Sequence, residues 1–270
     1  MNTDTPQTAL ITGASSGIGL ELARLFARDG FGLVLVARNQ SRLNSLAQEL
    51  RTAHHIPVCV ILADLDQPGT ANKIVEQLEQ SGIAIDVLVN NAGTQLYAPF
   101  AEADGQKLID LIQVNVTALT QLTHLLLPGM IQRRRGKILN LGSTGSFVPG
   151  PLNAVYCASK AYVLSFSEAL AAELDGTGVT VTTLCPGATK TEFAARHGMQ
   201  NVRLFQNAMP ADKVALIGYR ALMRGKRTVV AGIANQIQIL SFKLLGPLMP
   251  LISNKSLMRM GGFFMGQVNK

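Results

Sequence analysis

Two kinds of apolar pattern alternate along the chain. TALIT, FGLVLVA (Phe31–Ala37), HIPVCVILADL, AIDVLVNNAG, GKILNLGS and GVTVTTLCPGAT are built on short, nearly continuous apolar runs, as expected of parallel strands buried on both faces. Between them lie GLELARLF, SRLNSLAQELRTAHH and TANKIVEQLEQSG, whose apolar residues recur every three or four positions and predict amphipathic helices. LIDLIQVNVTALTQLTHLLLPGMIQ predicts one long helix with Asn115 in its middle. Asparagine is a poor helix-interior residue, because its amide competes for backbone hydrogen bonds, so a buried Asn115 needs a partner such as a backbone carbonyl, a water or a lysine. AVYCASKAYVLSFSEALAAEL predicts another helix, and ADKVALIGYRALMRGK, opening after Pro210, a further one. RTVVAG predicts a seventh, short strand, and Ala188 to Phe205 has the mixed polarity of a mobile cover. This alternation predicts an α/β fold: a doubly wound, Rossmann-type, mainly parallel seven-stranded sheet with helices on both faces.

Composition narrows the class. The 270 residues are 47% apolar and include 25 glycines, enough for one sizeable core. Residues 1–232 are expected to form the dinucleotide-binding and catalytic domain, and 233–270 an extension. Cys59, Cys157 and Cys185 form no CxxC pair, which predicts a reduced, cytoplasmic protein without structural zinc. The beginning MNTDTPQTALITG reads as a first strand rather than a signal peptide. The net charge of +7 is unevenly placed: all 17 acidic residues lie at or before Asp212, whereas Lys213–Lys270 carries basic residues only. A basic, apolar tail suits an anionic membrane surface or an anionic substrate, and no nucleic-acid module is present. His54 and His55 fall at a helix end without carboxylates spaced for a metal site, His124 reads as packing or surface, and Arg133–Arg135 before Gly136 read as a helix-end cap that keeps a turn soluble.

The polar residues with chemistry gather where strands end, which is where open parallel sheets bind ligands. Gly13, Gly17 and Gly19 form a GxxxGxG turn between the first strand and its helix. Small residues admit a pyrophosphate, and the helix offers it free N–H groups. Arg38 follows the second strand where an acid would read a free ribose diol; a guanidinium there favours a 2′-phosphate, hence NADPH over NADH. Tyr156 and Lys160 stand four apart on a predicted helix and therefore share a face. An ammonium beside a phenol favours the phenolate and predicts a lowered tyrosine pKa. Ser143, delivered by the preceding strand, can bond the same substrate oxygen.

Taken together, TGASSGIG at 12–19, DL at 64–65, NNAG at 90–93, Asn115, Ser143, YCASK at 156–160 and PGATKT at 186–191 strongly resemble the short-chain dehydrogenase/reductase family, from about Thr8 to Gly232. The resemblance implies a carbonyl reductase that transfers hydride directly from a nicotinamide cofactor without a metal. It assigns Tyr156 as general acid, Lys160 to the tyrosine and the nicotinamide ribose, Ser143 to the carbonyl, and Asn115 to a water linking Lys160 to a proton relay. It places Gly13, Ser15, Ser16, Gly17, Ile18 and Gly19 in the pyrophosphate turn, Asp64 and Leu65 at the adenine, and Asn90, Ala92 and Gly93 by the adenosine. Pro186, Gly187, Thr189 and Thr191 then meet the nicotinamide end. Members preferring NADPH often carry a basic residue immediately before the second motif glycine, where this chain has Ser16; NAD(H) therefore stays open.

Gln95–Phe100, Gly145–Leu152 and the cover after Thr191 contain few charges, which points to a lipophilic ketone such as a 3-oxoacyl compound. The chain also has the overall look of acyl and ketosteroid reductases in that family, and a homodimer or homotetramer is expected. Alternatives are an alcohol, steroid or sugar dehydrogenase working oxidatively, and a non-catalytic dinucleotide-binding scaffold or sensor. The extension, interrupted by Lys243, Lys255, Arg259, Pro247 and Pro250, is read as a lid, a subunit contact or a peripheral membrane contact, and Met249, Met258, Met260 and Met265 suit each.

Overall fold

The computed structural model describes residues 6–197 and 208–245. Parts of the expected cover (198–205) and of the extension (246–270, with Pro247, Pro250 and its methionines) lie outside the described residues.

Seven strands form one parallel sheet in the order β3-β2-β1-β4-β5-β6-β9. They are β1 (Thr8–Thr12), β2 (Gly32–Ala37), β3 (Val58–Leu62), β4 (Val87–Asn90), β5 (Gly136–Leu141), β6 (Val179–Cys185) and β9 (Thr228–Val230). Strand order reverses at β1, so the crevice between the carboxyl ends of β1 and β4 is the switch point at which such sheets bind ligands. Period-two alternation divides the apolar residues between two cores. Ala9, Ile11, Leu33, Leu35, Val87 and Val89 face one helix layer, which includes α1 (Gly17–Arg28), α2 (Gln40–His54) and α8 (Ala211–Met223). Leu10, Val34, Val36, Leu88 and Ile138 face the other, which includes α3 (Thr70–Gln80), α5 (Leu119–Gln132) and α6 (Ala154–Glu173). With side chains needed on both faces, a single polar substitution in these strands would have nowhere to find water.

The long helix predicted around Asn115 is divided. α4 (Gly105–Ile112) runs into a wider π-helical turn, Gln113–Ala118, before α5 continues. The turn lodges Asn115, whose amide finds the partners that the sequence demanded. A second departure is a small parallel sheet of β7 (Thr189–Lys190) and β8 (Met209–Pro210), which ties the two ends of the cover together. Their lengths are below what periodicity can detect. Arg133 and Arg135 do more than keep a turn hydrated. Arg133 donates to the carbonyl of Ile85, and Arg135 pairs with buried Asp86, which also accepts the N–H of Thr8. Together they fasten the amino-terminal edge of β1 and β4.

Candidate active site

A cleft of about 1280 Å³ opens over the carboxyl ends of the central strands, more than one small molecule requires. Gly13 and Gly17 shape one end. Their φ angles are +66° and +58°, and a Cβ on Gly13 would stand 2.8 Å from the Asn91 amide nitrogen. Ser16 caps α1 without using its side chain on the helix, and the first turn carries no acid. The free N–H groups and bare backbone fit a pyrophosphate. Gly19 has a different part: a Cβ there would collide with the Gly13 carbonyl and the Asn91 side chain, so it lets α1 pack on the turn without lining the cleft.

The NNAG stretch is stitched to this turn. Asn91 donates through Nδ2 to the carbonyl of Thr12 at 2.8 Å, and the N–H groups of Asn91 and Ala92 both donate to the Thr12 hydroxyl at 3.0 Å. Asn90 points elsewhere, which corrects its expected adenosine contact. It is buried and donates to Thr123 Oγ1 and Asn140 Oδ1, while Asn140 donates to Ser167 Oγ. This chain of amides and hydroxyls joins β4, β5, α5 and α6 behind the cleft. Adjacent Asn residues in the sequence carry no sign of which one faces the ligand. Strand alternation sends them to opposite sides.

Just after β2, Arg38 is largely exposed, and its guanidinium lies 3.7 Å from Asp64 and 3.8 Å from Asp66. Leu65 forms part of the same wall, as do Ser15, Ser16 and Ile18. Ala92, Gly93, Pro186, Gly187, Thr189 and Thr191 line the cleft as well, with Ala92 beside Gly13 and Thr191 beside Gly17.

In the same cleft Ser143, Tyr156 and Lys160 converge. Ser143 follows β5 and caps a tight 3-10 turn, Thr144–Phe147, through reciprocal bonds with Ser146. Ser146 in turn donates to the carbonyl of Lys160 at 2.7 Å, which locks the Ser143 loop onto α6. The half-buried Tyr156 phenol shares a hydrogen bond with Ser143. Lys160 is 5% exposed, and its Nζ donates to the carbonyl of Leu141 at 2.8 Å, lying 5.8 Å from the Tyr156 ring centroid.

The pKa directions reverse the sequence expectation. Desolvation in the cleft pushes Tyr156 up to about 12, against a lowering by the Ser143 hydrogen bond. Burial brings Lys160 down to about 8. Both groups are thus biased toward their neutral forms, and burial outweighs the through-space help that the ammonium was expected to give the phenolate. Lys160 has three donors, of which Leu141 takes one.

Asn115 does not line the cleft. It is 1% exposed, accepts from the N–H of Thr94 and donates to the Thr94 carbonyl and to Ser159 Oγ. A side chain at Gly93 would begin 3.4 Å from Asn115 Oδ1 and 3.5 Å from Lys160 Nζ. The two polar atoms therefore border one small space that glycine leaves open.

The cover expected after Thr191 closes one side of the cleft, through residues the sequence did not single out. In α7 (Glu192–Arg196) Phe193 stands 6.4 Å from the Tyr156 ring and 4.3 Å from that of His197. His197 Nε2 accepts the N–H of Gln95 at 3.2 Å, which leaves Nδ1 as the donor to the Phe193 carbonyl at 2.7 Å. Burial lowers its pKa, so this latch is uncharged at neutral pH. Tyr97, Val148, Pro149 and Pro151 line the opposite wall, as expected, whereas Phe100 points out to solvent. The described part of the extension, α9 (Ile233–Leu245), adds Ile239 and Phe242. Among the described residues no cluster of His, Cys, Asp and Glu could hold a metal.

A family profile described as short chain dehydrogenase matches residues 7–201, well over half of the chain. The chain belongs to the short-chain dehydrogenase family. A very-long-chain 3-oxoacyl-CoA reductase of Phaeosphaeria nodorum is 40% identical over 177 residues, 64% of this chain and 52% of that protein. The chain thus spans about half the length of the curated relatives it matches. Among solved structures, a short-chain dehydrogenase from Sphingobium yanoikuyae in complex with NADPH superposes with a TM-score of 0.80 at 35% identity, covering 91% of this chain and 96% of that one. A bulky-bulky ketone specific alcohol dehydrogenase from Comamonas testosteroni gives 0.76 at 32% identity, covering 93% and 96%. A nicotinamide dinucleotide is the cofactor that this family membership and the glycine cradle support.

Proposed function

We propose that this short-chain dehydrogenase is an NADPH-preferring reductase of a lipophilic ketone, a 3-oxoacyl compound foremost. The observation that carries the reading is the convergence of Ser143, Tyr156 and Lys160 beneath an apolar wall, next to a glycine cradle. The dinucleotide supplies the hydride. Ser143 orients the carbonyl oxygen, and Tyr156 delivers a proton to it from a phenol that is fully protonated at neutral pH. An oxygen becoming an alkoxide is a far stronger base than a phenolate, so the raised pKa does not prevent donation. The same shift leaves little tyrosinate at neutral pH, so use of the reverse reaction calls for a higher pH. Lys160, held by Leu141, keeps donors for a ribose hydroxyl, and the space between it and Asn115 suits a relaying water.

Arg38 and the absence of an acid at the end of β2 favour NADPH, as does the NADPH complex of the Sphingobium relative. The 3-oxoacyl preference rests on the wall and on the name of the Phaeosphaeria relative. The decisive experiment follows NADPH and NADH oxidation against short ketones, 3-oxoacyl thioesters, steroids and sugars. Turnover of 3-oxoacyl thioesters with NADPH, lowered roughly 10²- to 10⁴-fold in Tyr156→Phe with cofactor binding retained, is expected. Full activity of that variant would remove Tyr156 from the chemistry. Cofactor binding without turnover of any class would favour the scaffold reading.

A homodimer or homotetramer is supported by Ile109 and Ile112 on α4 and Tyr162 on α6, all exposed; a monomeric mass by light scattering would refute it. A cytoplasmic enzyme touching membranes is supported by its free cysteines and by Ile233, Ile237 and Leu240 exposed along α9 ahead of the basic tail. No helix among the described residues is long and apolar enough to cross a membrane. Co-sedimentation with anionic vesicles tests the surface contact, and no binding by the full chain would dismiss it.

A further inference from the structure

Three arginines from distant parts of the chain meet at the adenosine end of the cleft. Arg38 follows β2, Arg42 lies in the first turn of α2, and Arg196 ends α7. Glu192, the first residue of α7, holds two of them: Arg42 Nη1 lies 2.7 Å from its carboxylate, and Arg196 Nη2 contacts the same oxygen. The two guanidiniums pull the carboxyl of Glu192 down to about 2, so it remains an anion throughout the physiological range. Arg196 also donates to Ser16 Oγ at 3.2 Å, across 180 positions of sequence. Ser16 is the N-cap of α1, and all of these side chains line one cleft.

One carboxylate bridging two guanidiniums fixes the orientation of both. As surface ion pairs these contacts contribute little to stability, because each side chain is about half exposed. Their effect is positional: they carry the Arg196 guanidinium onto Ser16, between the amino end of α1 and the end of β2. A phosphate on the 2′-oxygen of the adenosine ribose belongs in that interval. Arg38 by itself is poorly placed to hold it, since Asp64 and Asp66 sit beside its guanidinium.

The geometry points to Arg196, steadied with Arg42 by Glu192, as the second half of a 2′-phosphate clamp whose first half is Arg38. Helix α7 thereby supplies the cationic partner that the glycine turn lacks at Ser16. The inference rests on the nicotinamide dinucleotide reading.

The test is equilibrium binding of NADPH, NADH and 2′,5′-ADP to the full chain, by calorimetry or cofactor fluorescence, for the wild type, Arg196→Gln and Arg196→Lys. Loss of one charge-assisted phosphate contact is worth about tenfold or more in affinity. Arg196→Gln should weaken NADPH and 2′,5′-ADP by about that factor, leave NADH within roughly twofold, and be partly rescued by Arg196→Lys. Equal weakening of NADPH and NADH would overturn the assignment and place Arg196 on the shared pyrophosphate or on the cover alone. Unchanged binding of all three ligands would also overturn it. Failure of the wild type to bind any of them would instead remove the dinucleotide reading itself. Retained NADH binding in the variants shows that they fold.

Discussion

Lys160→Met should make the protein more stable at neutral pH while it destroys activity. The buried ammonium has its pKa brought from 10.5 to about 8, which at about 1.36 kcal/mol per unit corresponds to roughly 3 kcal/mol of cost for folding with the lysine charged. Methionine removes that cost and fills similar volume. Against it stands the lost bond to the Leu141 carbonyl, about 1 kcal/mol, or up to about 3 if the carbonyl stays unsatisfied. The net expectation at pH 7 is a gain of about 1–2 kcal/mol, or a few degrees in Tm. The sign with pH is the stronger test. Because the folded pKa is the lower one, the unfolded chain binds more protons between about 8 and 10.5, so wild-type stability contributed by this group rises through that window. By pH 10 most of that cost has vanished, and the variant should have become the less stable protein. Cys157 and Cys185, raised by burial, act in the opposite direction over the same range; Cys157 is common to both proteins and drops out of the difference, whereas Cys185 is held down by the Lys160 charge and rises further in the variant. Urea unfolding of both proteins at pH 7, 8, 9 and 10 gives the quantity required. A stability difference that stays constant across that series would refute the claim that burial sets the state of Lys160.

Two other substitutions probe the scaffold of the site. Gly17→Ala places a side chain at φ +58° with its Cβ 2.9 Å from Thr191 Cγ2; a loss of about 1–3 kcal/mol by urea unfolding, with weaker dinucleotide binding, is expected, and wild-type behaviour in both would contradict the cradle. Asn140→Leu deprives Asn90 and Ser167 of their partner behind the cleft. Each loses one of two bonds, Asn90 keeping Thr123 and Ser167 keeping the Val163 carbonyl, so stability should fall by about 1–3 kcal/mol for two lost hydrogen bonds, and a variant within 0.5 kcal/mol of wild type, on the order of ordinary surface changes, would show that the network is dispensable.

What could be read from the sequence was what depends on local pattern. Strands buried on both faces are apolar at most positions, so FGLVLVA and AIDVLVN announced themselves, and the seven-stranded parallel sheet followed. Tyr156 and Lys160 share a face because they are one helical turn apart, and Ser143 reaches them because β5 and α6 are consecutive across the crossover. Asn115 was marked by its cost within a helix, although the π-helical turn that accommodates it left no mark in the pattern.

The tertiary structure decided whatever depends on burial or on meetings across the chain. It sent Asn90 behind the sheet and brought Asn91 to the turn, because alternation along a strand is known only once the faces are. It turned Tyr156 and Lys160 toward neutrality, since desolvation depends on the walls around them and not on their spacing. It set His197 against Gln95 and Arg196 against Ser16, pairs separated by 102 and 180 positions. Spacing within one helix is a property of the sequence, whereas proximity across a cleft exists only after the chain has closed around it.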